Sequence, residues 1–292
     1  MFPPRQSRAP TPTMSAPVVS VMLCNYNHGR YLRQCLAGLL CQTYPNIEIA
    51  FTDDGSTDGS QDIIREFAAK DPRIIPNFFP VNRGQKVAFA DSMNRTTGKY
   101  IYSAASDDFV INKDFFKKAV TALENDPRPA GYYGITGLFV AETEKLSGFI
   151  GTAEVEGYNT PLQCCLGLLK YRSVVTGPSC ILRRDLYLEY GAADLTNYMA
   201  KLESLHDHCL NHELAWRYGM IYEKTPFTCQ RIYEAKTNYS SNLTVFQLAS
   251  RLSEMERRLR LADVTYPEIE KDWERWRAIN LVDFIRKNGI QV

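Results

Sequence analysis

The sequence predicts an α/β fold with an open, mostly parallel sheet flanked by helices. Short runs of apolar, β-branched residues alternate with longer segments whose apolar residues recur every three or four positions. The first pattern is typical of buried strands, and the second is typical of helices that pack one face on a core. Strands and helices that alternate in this way predict right-handed βαβ units, and therefore parallel strands.

The first two units each consist of a strand and a helix. Residues 18–24 form an apolar run that fits a strand buried on both faces, and a helix with one apolar face follows it. A second strand over residues 47–51 leads through the turn 53–59 into a second helix. The residues that we predict to face inward from these two helices are Leu32, Cys35, Leu36, Leu39, Leu40, Ile63, Ile64, Phe67 and Ala68.

Two further units complete the first half of the chain. They consist of strands over residues 73–79 and 100–105 and helices over residues 85–94 and 114–124. In open parallel sheets, ligands bind beyond the carboxyl ends of the strands. We therefore expect one crevice to be lined by the polar clusters that follow the strands, which are Asn25-Tyr26-Asn27, Asp53-Asp54 and Asp107-Asp108.

The second half of the sequence is less regular. Strands are predicted over residues 132–140 and 145–150, a short helix over 184–190 and a longer helix over 207–218. Near the C-terminus, apolar residues recur at intervals of four, three and four, which predicts an amphipathic helix. These residues are Leu248, Leu252, Met255 and Leu259.

We predict three parts along the chain. They are a flexible, proline-containing leader over residues 1–17, one large domain over residues 18–240, and a C-terminal helical extension over residues 241–292. The large domain divides into halves at 18–125 and 126–240. The pattern of the extension fits packing on the domain, pairing of two copies of the chain into a homo-oligomer, or peripheral contact with a membrane surface.

Composition excludes several classes of protein. The 292 residues carry a formal net charge of +1, which argues against nucleic acid as an electrostatic partner. No apolar stretch approaches the ~18 residues of a transmembrane span, and the leader has no apolar core of a secretion signal. The eight cysteines form no CxxC pair and no small-domain disulfide pattern. We therefore predict a cytoplasmic protein with reduced thiols.

A series of short motifs follows in order along the chain. They are Asn25-Tyr26-Asn27, Gln42-Thr43-Tyr44-Pro45, Asp53-Asp54-Gly55-Ser56-Thr57-Asp58-Gly59, Asn82-Arg83-Gly84, Gly98-Lys99-Tyr100-Ile101 and Ser106-Asp107-Asp108. With this order of motifs, residues 18–235 resemble glycosyltransferase family 2. The resemblance implies a GT-A fold, with residues 18–125 binding the nucleotide and residues 126–240 binding the acceptor. It also implies an inverting enzyme of the hexosyltransferase type. Such an enzyme moves a sugar from a nucleoside diphosphate, UDP or dTDP in this case, to a hydroxyl group during synthesis of cell-surface polysaccharide or glycoconjugate.

The resemblance also assigns the acidic pair Asp107-Asp108. Mg²⁺ and Mn²⁺ prefer hard oxygen ligands and usually bind through one or two carboxylates plus substrate phosphates. By resemblance, Asp108 holds the metal ion, and Asp107 faces the ribose or the water shell of the metal. The alternative is that the two residues only end a strand and cap a turn.

Other residues are predicted to contact the nucleotide. By resemblance, Asp54 accepts the N–H of a uracil or thymine base and Tyr26 lies along the face of the base, while Asn25 and Asp53 belong to the same two clusters. Arg83 and Lys86 follow the third strand and are placed to reach the diphosphate, unless they are ordinary solvated charges.

In the second half, Arg231 resembles a phosphate contact in a closing loop. Asp207 is the predicted catalytic base, since an ionised carboxylate can accept the proton of the acceptor hydroxyl. It follows His206, at a position where the family usually has Glu, and it could instead only cap the helix that it opens. His208 and His212 are four residues apart on that helix and could share a metal ion, but no third ligand is evident.

Two other functions stay open at this point. A sugar-phosphate nucleotidyltransferase would share a doubly wound sheet, but it favours a glycine-rich, basic loop after the first strand, which this sequence does not have there. A nucleotide-binding module without turnover would keep the crevice and lack the base. The predicted partners are a nucleotide-sugar donor, a saccharide or glycoconjugate acceptor, and Mn²⁺ or Mg²⁺.

Overall fold

A computed structural model describes residues 16–153, 155–171, 175–192, 206–233, 271 and 273–275. Its strands are β1 (Val19–Asn25), β2 (Ile47–Asp53), β3 (Ile74–Phe78), β4 (Tyr100–Ala105), β5 (Phe109–Val110), β6 (Gly131–Val140), β7 (Lys145–Ile150), β8 (Gly157–Asn159), β9 (Cys180–Arg183) and β10 (Met220–Ile232). All ten belong to one sheet, in which eight strands follow the order β3-β2-β1-β4-β9-β6-β10-β5, while β7 pairs with β6 and β8 with β10.

Helices cover both faces of this sheet. They are α1 (Gly29–Leu40), α2 (Ser60–Lys70), α3 (Gln85–Asn94), α4 (Phe115–Asn125), α5 (Pro161–Tyr171), α6 (Arg184–Tyr187, which continues as a π turn over Leu188–Ala192) and α7 (His206–Tyr218). A 3-10 turn over Gly177–Ser179 precedes β9. No helix in the described part of the chain is long and apolar enough to span a bilayer.

The first half forms the parallel part of the sheet, as the alternation predicts. β1 lies between β2 and β4 and is parallel to both, and β3 continues the parallel arrangement beyond β2. Each of these strands is followed by a helix that returns the chain to the other end of the sheet, except that β4 runs into the short strand β5 and then α4. The βαβ crossovers therefore place the loops after β1, β2 and β4 at one edge of the sheet.

The second half makes the sheet mixed. β9 is antiparallel to β4 and β6, and β5, β7 and β8 also pair antiparallel with their neighbours. β10 runs parallel to β6 over the whole length of that strand. Strands β5, β8, β9 and β10 and helix α5 have no counterpart among the predicted elements. The predicted leader and most of the predicted helical extension lie outside the described residues.

Two apolar clusters hold the layers together, one on each face of the sheet. Side chains from α1, α2 and α4 pack on one face, and their buried members include Leu36, Ile64 and Phe116. Side chains from α3, α6 and α7 pack on the other face. Because β1 is buried on both faces, its residues alternate between the two clusters, with Leu23 in the first and Met22 in the second.

Helix α1 packs very closely against the short strand β5. A Cβ atom at Gly38 would stand 2.5 Å from the carbonyl oxygen of Val110. Only a residue without a side chain allows this distance between the two backbones. The contact fixes α1 beside the strand that directly follows Asp107 and Asp108.

Candidate functional site

The ends of three parallel strands bring the predicted site residues together. In the strand register, Asn25 at the end of β1 lies opposite Asp53 at the end of β2. On the other side, Cys24 lies opposite Ala105, the last residue of β4. Since neighbouring strands are spaced by 4.7–4.9 Å, the ends of β2 and β4 are about 10 Å apart. The acidic residues that follow the two strands therefore border the same edge, as the sequence predicts.

The loops after β1 and β2 are joined by a network of hydrogen bonds centred on the Ser56 hydroxyl. This hydroxyl accepts the amide of Asn25 (Nδ2 to Oγ, 3.0 Å) and the backbone N–H of Asn27 (2.9 Å), and it donates to Asp53 Oδ2 at 2.6 Å. The backbone N–H of Thr57 donates to Asn27 Oδ1 at 2.8 Å. These bonds hold the two loops in a single arrangement, which we call the Ser56 brace.

Asp53 is part of this brace and is fully buried. Its carboxylate also accepts hydrogen bonds from Asn25 Nδ2 at 2.8 Å, from the backbone N–H of Ser56 at 2.9 Å and from Gln61 Nε2 at 3.0 Å. A carboxylate that accepts this many donors is well stabilised inside the protein. The contacts of Asp53 and Asn25 therefore serve to shape the loops.

Asp54, the next residue, is held differently. Its side chain is 2% exposed, and its Oδ1 accepts the backbone N–H of Arg83 at 2.7 Å. Its Oδ2 accepts no hydrogen bond from the residues that the structure describes. Gly55 has a φ of +74°, and a Cβ atom there would stand 2.5 Å from the carbonyl carbon of Val81. The loop after β3 therefore presses on the Asp54-Gly55 turn and fixes the direction of the carboxylate.

Tyr26 is the exposed member of this region. Its residue surface is 46% exposed, although both neighbours in the chain are tied into the Ser56 brace. Asn27 adopts a left-handed conformation, with φ at 56°, which Asn tolerates better than most residues. The backbone around Tyr26 is thus fixed while its ring stays accessible, an arrangement suited to stacking on a planar ligand.

Arg83 and Lys86 lie at the start of α3. Arg83 is exposed, with its guanidinium carbon 4.9 Å from the centre of the Phe79 ring, and Lys86 is half-buried in the first turn of the helix. Neither side chain forms an ion pair with another described residue. Both cations are therefore available to a ligand, and the backbone of Arg83 already contacts Asp54.

Asp107 and Asp108 follow β4 and accept hydrogen bonds from residues in distant parts of the chain. Asp108 is 8% exposed, and its Oδ1 accepts the backbone N–H of Arg231 at 2.8 Å. Asp107 Oδ2 accepts the Tyr233 hydroxyl at 3.1 Å. Its Oδ1 lies 4.0 Å from His28 Nδ1, which is 2.9 Å from the Ser106 hydroxyl. His28 thereby connects the loop after β1 to the loop after β4.

Carboxylates at this position influence the groups around them. Burial, followed by the negative charges of Asp108 and Asp107, raises the pKa of the Cys35 thiol well above its ordinary value. Burial and the charge of Asp107 raise the pKa of Tyr233. Cys35 is thus a protonated, buried thiol at neutral pH and does not supply a nucleophile.

Arg231 lies in strand β10, whereas the sequence predicted it in a closing loop. It is 4% exposed. The guanidinium lies against three aromatic rings, with its central carbon 4.3 Å from the ring centre of Tyr31, 4.9 Å from that of Phe109 and 5.7 Å from that of Phe139. It also donates hydrogen bonds to the carbonyl oxygen of Asp107 and to Gln34.

Asp207 lies in the first turn of α7, which begins at His206. The side chains of residues 206–209 are outside the described part of the structure, so the predicted role of Asp207 stays a prediction. Further along, α7 packs its buried residues Leu210 and Leu214 into the second apolar cluster. The helix therefore stands on the α3 side of the sheet.

A chain of buried hydroxyl groups supports the 3-10 turn beside α7. Thr136 on β6 contacts the hydroxyls of Thr176 at 2.8 Å and Ser179 at 2.6 Å, and Ser179 contacts that of Thr228 on β10 at 2.6 Å. All four side chains are at most 3% exposed. The turn is thus anchored to both strands of the second half.

The donor set around Asp107 and Asp108 fits a divalent cation only in part. Within the described residues, no group of three or more His, Cys, Asp or Glu side chains could hold a metal ion. Two adjacent carboxylates nevertheless match the requirement of Mg²⁺ and Mn²⁺, which take one or two protein carboxylates and complete their shell with phosphate oxygens and water. The residues therefore fit a metal ion that binds together with a phosphorylated ligand.

Sequence reasoning missed several residues that build this site. His28, Ser56, Gln34 and Tyr233 all contact predicted site residues or their loops. His28 and Ser56 could have been found, because Ser56 lies inside the motif that follows β2 and His28 comes directly after the motif Asn25-Tyr26-Asn27. Gln34 and Tyr233 leave no signal in the sequence, since only the fold brings them to Asp107 and Arg231.

Comparison with known proteins is consistent with this geometry. Residues 20–160 match the family model described as Glycosyl transferase family 2. The chain is 35% identical over 92 residues to the putative teichuronic acid biosynthesis glycosyltransferase TuaG of Bacillus subtilis, and the match covers 32% of this chain and 36% of TuaG. The chain spans between 17% and 54% of the length of the curated relatives that it matches.

Solved structures agree on the fold. The structure resembles S. aureus TarS 1-349 in complex with UDP, with a TM-score of 0.57 and 16% identity, over 82% of this chain and 69% of that chain. It also resembles the mannosyltransferase PcManGT from Pyrobaculum calidifontis in complex with GDP-Man and Mn²⁺. There the TM-score is 0.51 and the identity 16%, over 97% of this chain and 78% of that chain. These likenesses concern the fold, and the predicted fold class, an α/β fold with a large central sheet flanked by helices, is confirmed.

Proposed function

Because this chain belongs to glycosyltransferase family 2, we propose that it is an inverting, metal-assisted enzyme that moves a hexosyl group from a nucleoside-diphosphate donor to a hydroxyl acceptor. One observation carries the proposal. The loops after β1, β2 and β4 border one edge of the sheet, so that an exposed aromatic ring, an oriented carboxylate and an acidic pair follow neighbouring strand ends that span about 10 Å. Strand ends of this kind are where open α/β sheets bind ligands.

The base of the nucleotide would lie between Tyr26 and Asp54. The exposed ring of Tyr26 supplies a stacking surface. Asp54 Oδ1 is taken by the N–H of Arg83, which leaves Oδ2 as an acceptor for the N–H of a pyrimidine ring. The proposed donor is therefore a UDP-sugar or a dTDP-sugar, and the complex of TarS with UDP supports a uridine nucleotide. In this proposal, Asn25 and Asp53 shape the two loops that carry the contacts.

The diphosphate would extend from there toward the acidic pair. Asp108 would hold the metal ion, Mn²⁺ or Mg²⁺, and Asp107 would contact its water shell or the ribose. When bound, the cation neutralises negative charge that develops on the departing diphosphate. The complex of PcManGT with GDP-Man and Mn²⁺ supports manganese. Arg83 and Lys86 would offset the remaining phosphate charge from the loop after β3.

Asp207 would act as the catalytic base from the first turn of α7. The acceptor oxygen attacks the anomeric carbon while the bond from that carbon to the diphosphate oxygen breaks. The proton of the acceptor hydroxyl passes to the Asp207 carboxylate, and the nucleoside diphosphate leaves as an anion. Attack opposite the leaving group inverts the anomeric configuration, so one displacement completes the transfer.

The acceptor would be a saccharide or glycoconjugate of a cell-surface polymer. The support comes from the similarity to TuaG, a putative teichuronic acid biosynthesis glycosyltransferase. A cytoplasmic site of action, at the inner face of the membrane, is part of this proposal. The helical extension over residues 241–292 would provide the peripheral membrane contact or the pairing of two copies, and residues 18–240 would form the catalytic domain.

The test is an assay of nucleoside diphosphate release with UDP-, GDP- and dTDP-sugars in the presence of Mn²⁺. We expect release from a uridine or thymidine donor and none after addition of EDTA. Asp108→Asn should lower the rate by about 10³-fold or more, because several kcal/mol of charge stabilisation depend on the cation. Asp62→Asn is the matched control, since Asp62 is a solvent-exposed carboxylate on α2, paired with Arg65.

Two other outcomes would overturn the proposal. Formation of pyrophosphate from a nucleoside triphosphate and a sugar phosphate would identify a sugar-phosphate nucleotidyltransferase. Binding of a nucleotide sugar without turnover, across a panel of saccharide acceptors, would identify a nucleotide-binding module.

A further inference from the structure

Arg231 forms two separate hydrogen bonds to the acidic turn Asp107-Asp108 after β4. Its backbone N–H donates to the carboxylate of Asp108 at 2.8 Å. Its guanidinium donates to the carbonyl oxygen of Asp107, which belongs to the peptide group that joins the two acidic residues. One residue of β10 therefore holds both the link between the two carboxylates and one of the carboxylates themselves.

The guanidinium of Arg231 is itself held by hydrogen bonds and by aromatic rings. Gln34 on α1 accepts its second hydrogen bond. The rings of Tyr31, Phe109 and Phe139 surround it at 4.3, 4.9 and 5.7 Å. A guanidinium is weakly hydrated and stacks well on aromatic rings, so it tolerates this enclosure better than an ammonium group would.

Such an enclosure is unfavourable for direct contact with a phosphate. Only 4% of the residue surface is exposed. To reach a ligand, the side chain would have to leave three rings and two hydrogen bonds. Arg83, by contrast, is exposed near the same edge of the sheet, and Lys86 beside it is half-buried. Neither forms an ion pair with another described residue, so these two cations are better placed to contact a diphosphate than the buried arginine.

We infer that Arg231 is a positioning residue, which presets the Asp107-Asp108 turn for a metal ion and makes no contact with the nucleotide. This inference builds on the proposed function and replaces the phosphate contact that the sequence suggested for Arg231. The turn is held from β10 and α1 before any ligand arrives, so the peptide group between the two acidic residues and the Asp108 carboxylate are already fixed when a cation binds. Partners of this kind, which orient metal ligands from outside, affect metal affinity when they are removed.

The experiment compares three ligands of increasing phosphate number. Dissociation constants for uridine, UMP and UDP are measured with EDTA and with Mn²⁺, for the wild type, Arg231→Lys, Arg231→Met and Gln34→Ala. Arg33→Met is the matched control, because Arg33 is an exposed arginine on α1 that pairs with Glu66. Amide hydrogen exchange of residues 105–110 is followed in the same proteins, and circular dichroism confirms that each one is folded.

We expect the three constants in EDTA to stay within about twofold of wild type, while the gain in UDP affinity from Mn²⁺ falls about tenfold in both Arg231 variants. Gln34→Ala should show a smaller fall of the same kind, and Arg33→Met none. Hydrogen exchange should become faster at residues 105–110 in Arg231→Met, with the remaining segments unchanged.

A loss of affinity in EDTA that grows from uridine to UMP to UDP would show a direct phosphate contact and overturn the inference. The inference would also be overturned if Mn²⁺ increased the UDP affinity of a folded Arg231 variant as much as that of the wild type. If the wild type binds none of the three ligands, the proposed function is wrong. The positioning role of Arg231 is then tested by hydrogen exchange alone. Unchanged exchange at residues 105–110 would then reject the positioning role.

Discussion

The two halves of the molecule build their parts of the site in different ways. In the first half, residues that follow β1 and β2 bond to one another through short loops, and Ser56 and Asn25 are 31 positions apart. In the second half, Arg231 reaches Asp107 from 124 positions further along the chain. A parallel βαβ half can therefore prepare a ligand site from local motifs, whereas the mixed half acts on that site through long-range strand pairing.

This difference suggests a division of labour between the halves. The first half carries the proposed contacts with the base and the diphosphate, and its loops are braced without a ligand. The second half carries the proposed base Asp207 and the strand that grips the acidic turn. We expect a change at the proposed base contact Tyr26 in the first half to alter donor affinity, and a change at the proposed catalytic base Asp207 in the second half to alter the rate of transfer.

Among the variants that test this comparison, Asp207→Asn in the second half should have the largest effect. The amide keeps the shape of the side chain but cannot accept the proton of the acceptor hydroxyl. The transfer rate at saturating donor should fall by ~10²–10⁴, the usual range for a general base. Donor affinity, measured by titration of UDP with Mn²⁺, should stay close to that of the wild type.

An unchanged transfer rate in Asp207→Asn would break the comparison, because the base would then lie elsewhere. A parallel loss of donor affinity would also contradict it, since α7 would then contribute to nucleotide binding. Asp185→Asn, at an exposed carboxylate on α6, serves as the control for the loss of one negative charge in the second half.

A smaller effect, of the opposite kind, is expected from Tyr26→Ala. Removal of a stacking ring typically costs 1–3 kcal/mol per base, so uridine and UDP should each bind about tenfold more weakly or worse. The transfer rate at saturating donor should be unchanged. Tyr26→Phe keeps the ring and should bind both ligands like the wild type, which separates stacking from any role of the hydroxyl.

Equal affinity of Tyr26→Ala for UDP would show that the exposed ring does not meet the base. A fall in UDP affinity without any fall in uridine affinity would point to the phosphates instead. Either result would move the base-binding region away from the loop after β1.

The smallest effect concerns the Ser56 brace. Ser56→Ala removes a hydroxyl that joins Asn25, Asn27 and Asp53, and the free energy of unfolding should fall by about 1–2 kcal/mol. Thr57→Ala removes a neighbouring hydroxyl that bonds to no described residue, and it should change stability by less than about 0.5 kcal/mol. Urea unfolding of both variants measures the difference. Equal stabilities would show that the brace adds nothing.

The first half could be predicted well from the sequence. The strands at 18–24 and 47–51 correspond to β1 and β2, because buried parallel strands have a continuous apolar pattern that few other elements share. The positions of Tyr26 and Asp54 follow directly from the ends of those strands. What the sequence did not show is that Asp53 and Asp54 have different environments, since only the hydrogen bonds distinguish them.

The second half could be predicted less well, for a physical reason. β10 contains Lys224, Thr225 and Pro226, and its pairing with β6 is irregular at this point, so that its periodicity is interrupted. The family resemblance alone puts Arg231 in a closing loop, although it is a buried strand residue. Its aromatic partners come from α1, β5 and β6, which no local pattern connects with it.

The contact of α1 with β5 has a consequence for how this chain can evolve. Glycine in the middle of a helix costs about 1 kcal/mol relative to alanine, and most helices would gain from losing it. Gly38 cannot be replaced by alanine in this way, because even the methyl group of alanine would overlap the Val110 backbone. Gly38 is not one of the proposed ligand contacts, yet packing of α1 against β5 prevents its replacement. Over evolution, we expect the residues that line the crevice to change more freely than Gly38.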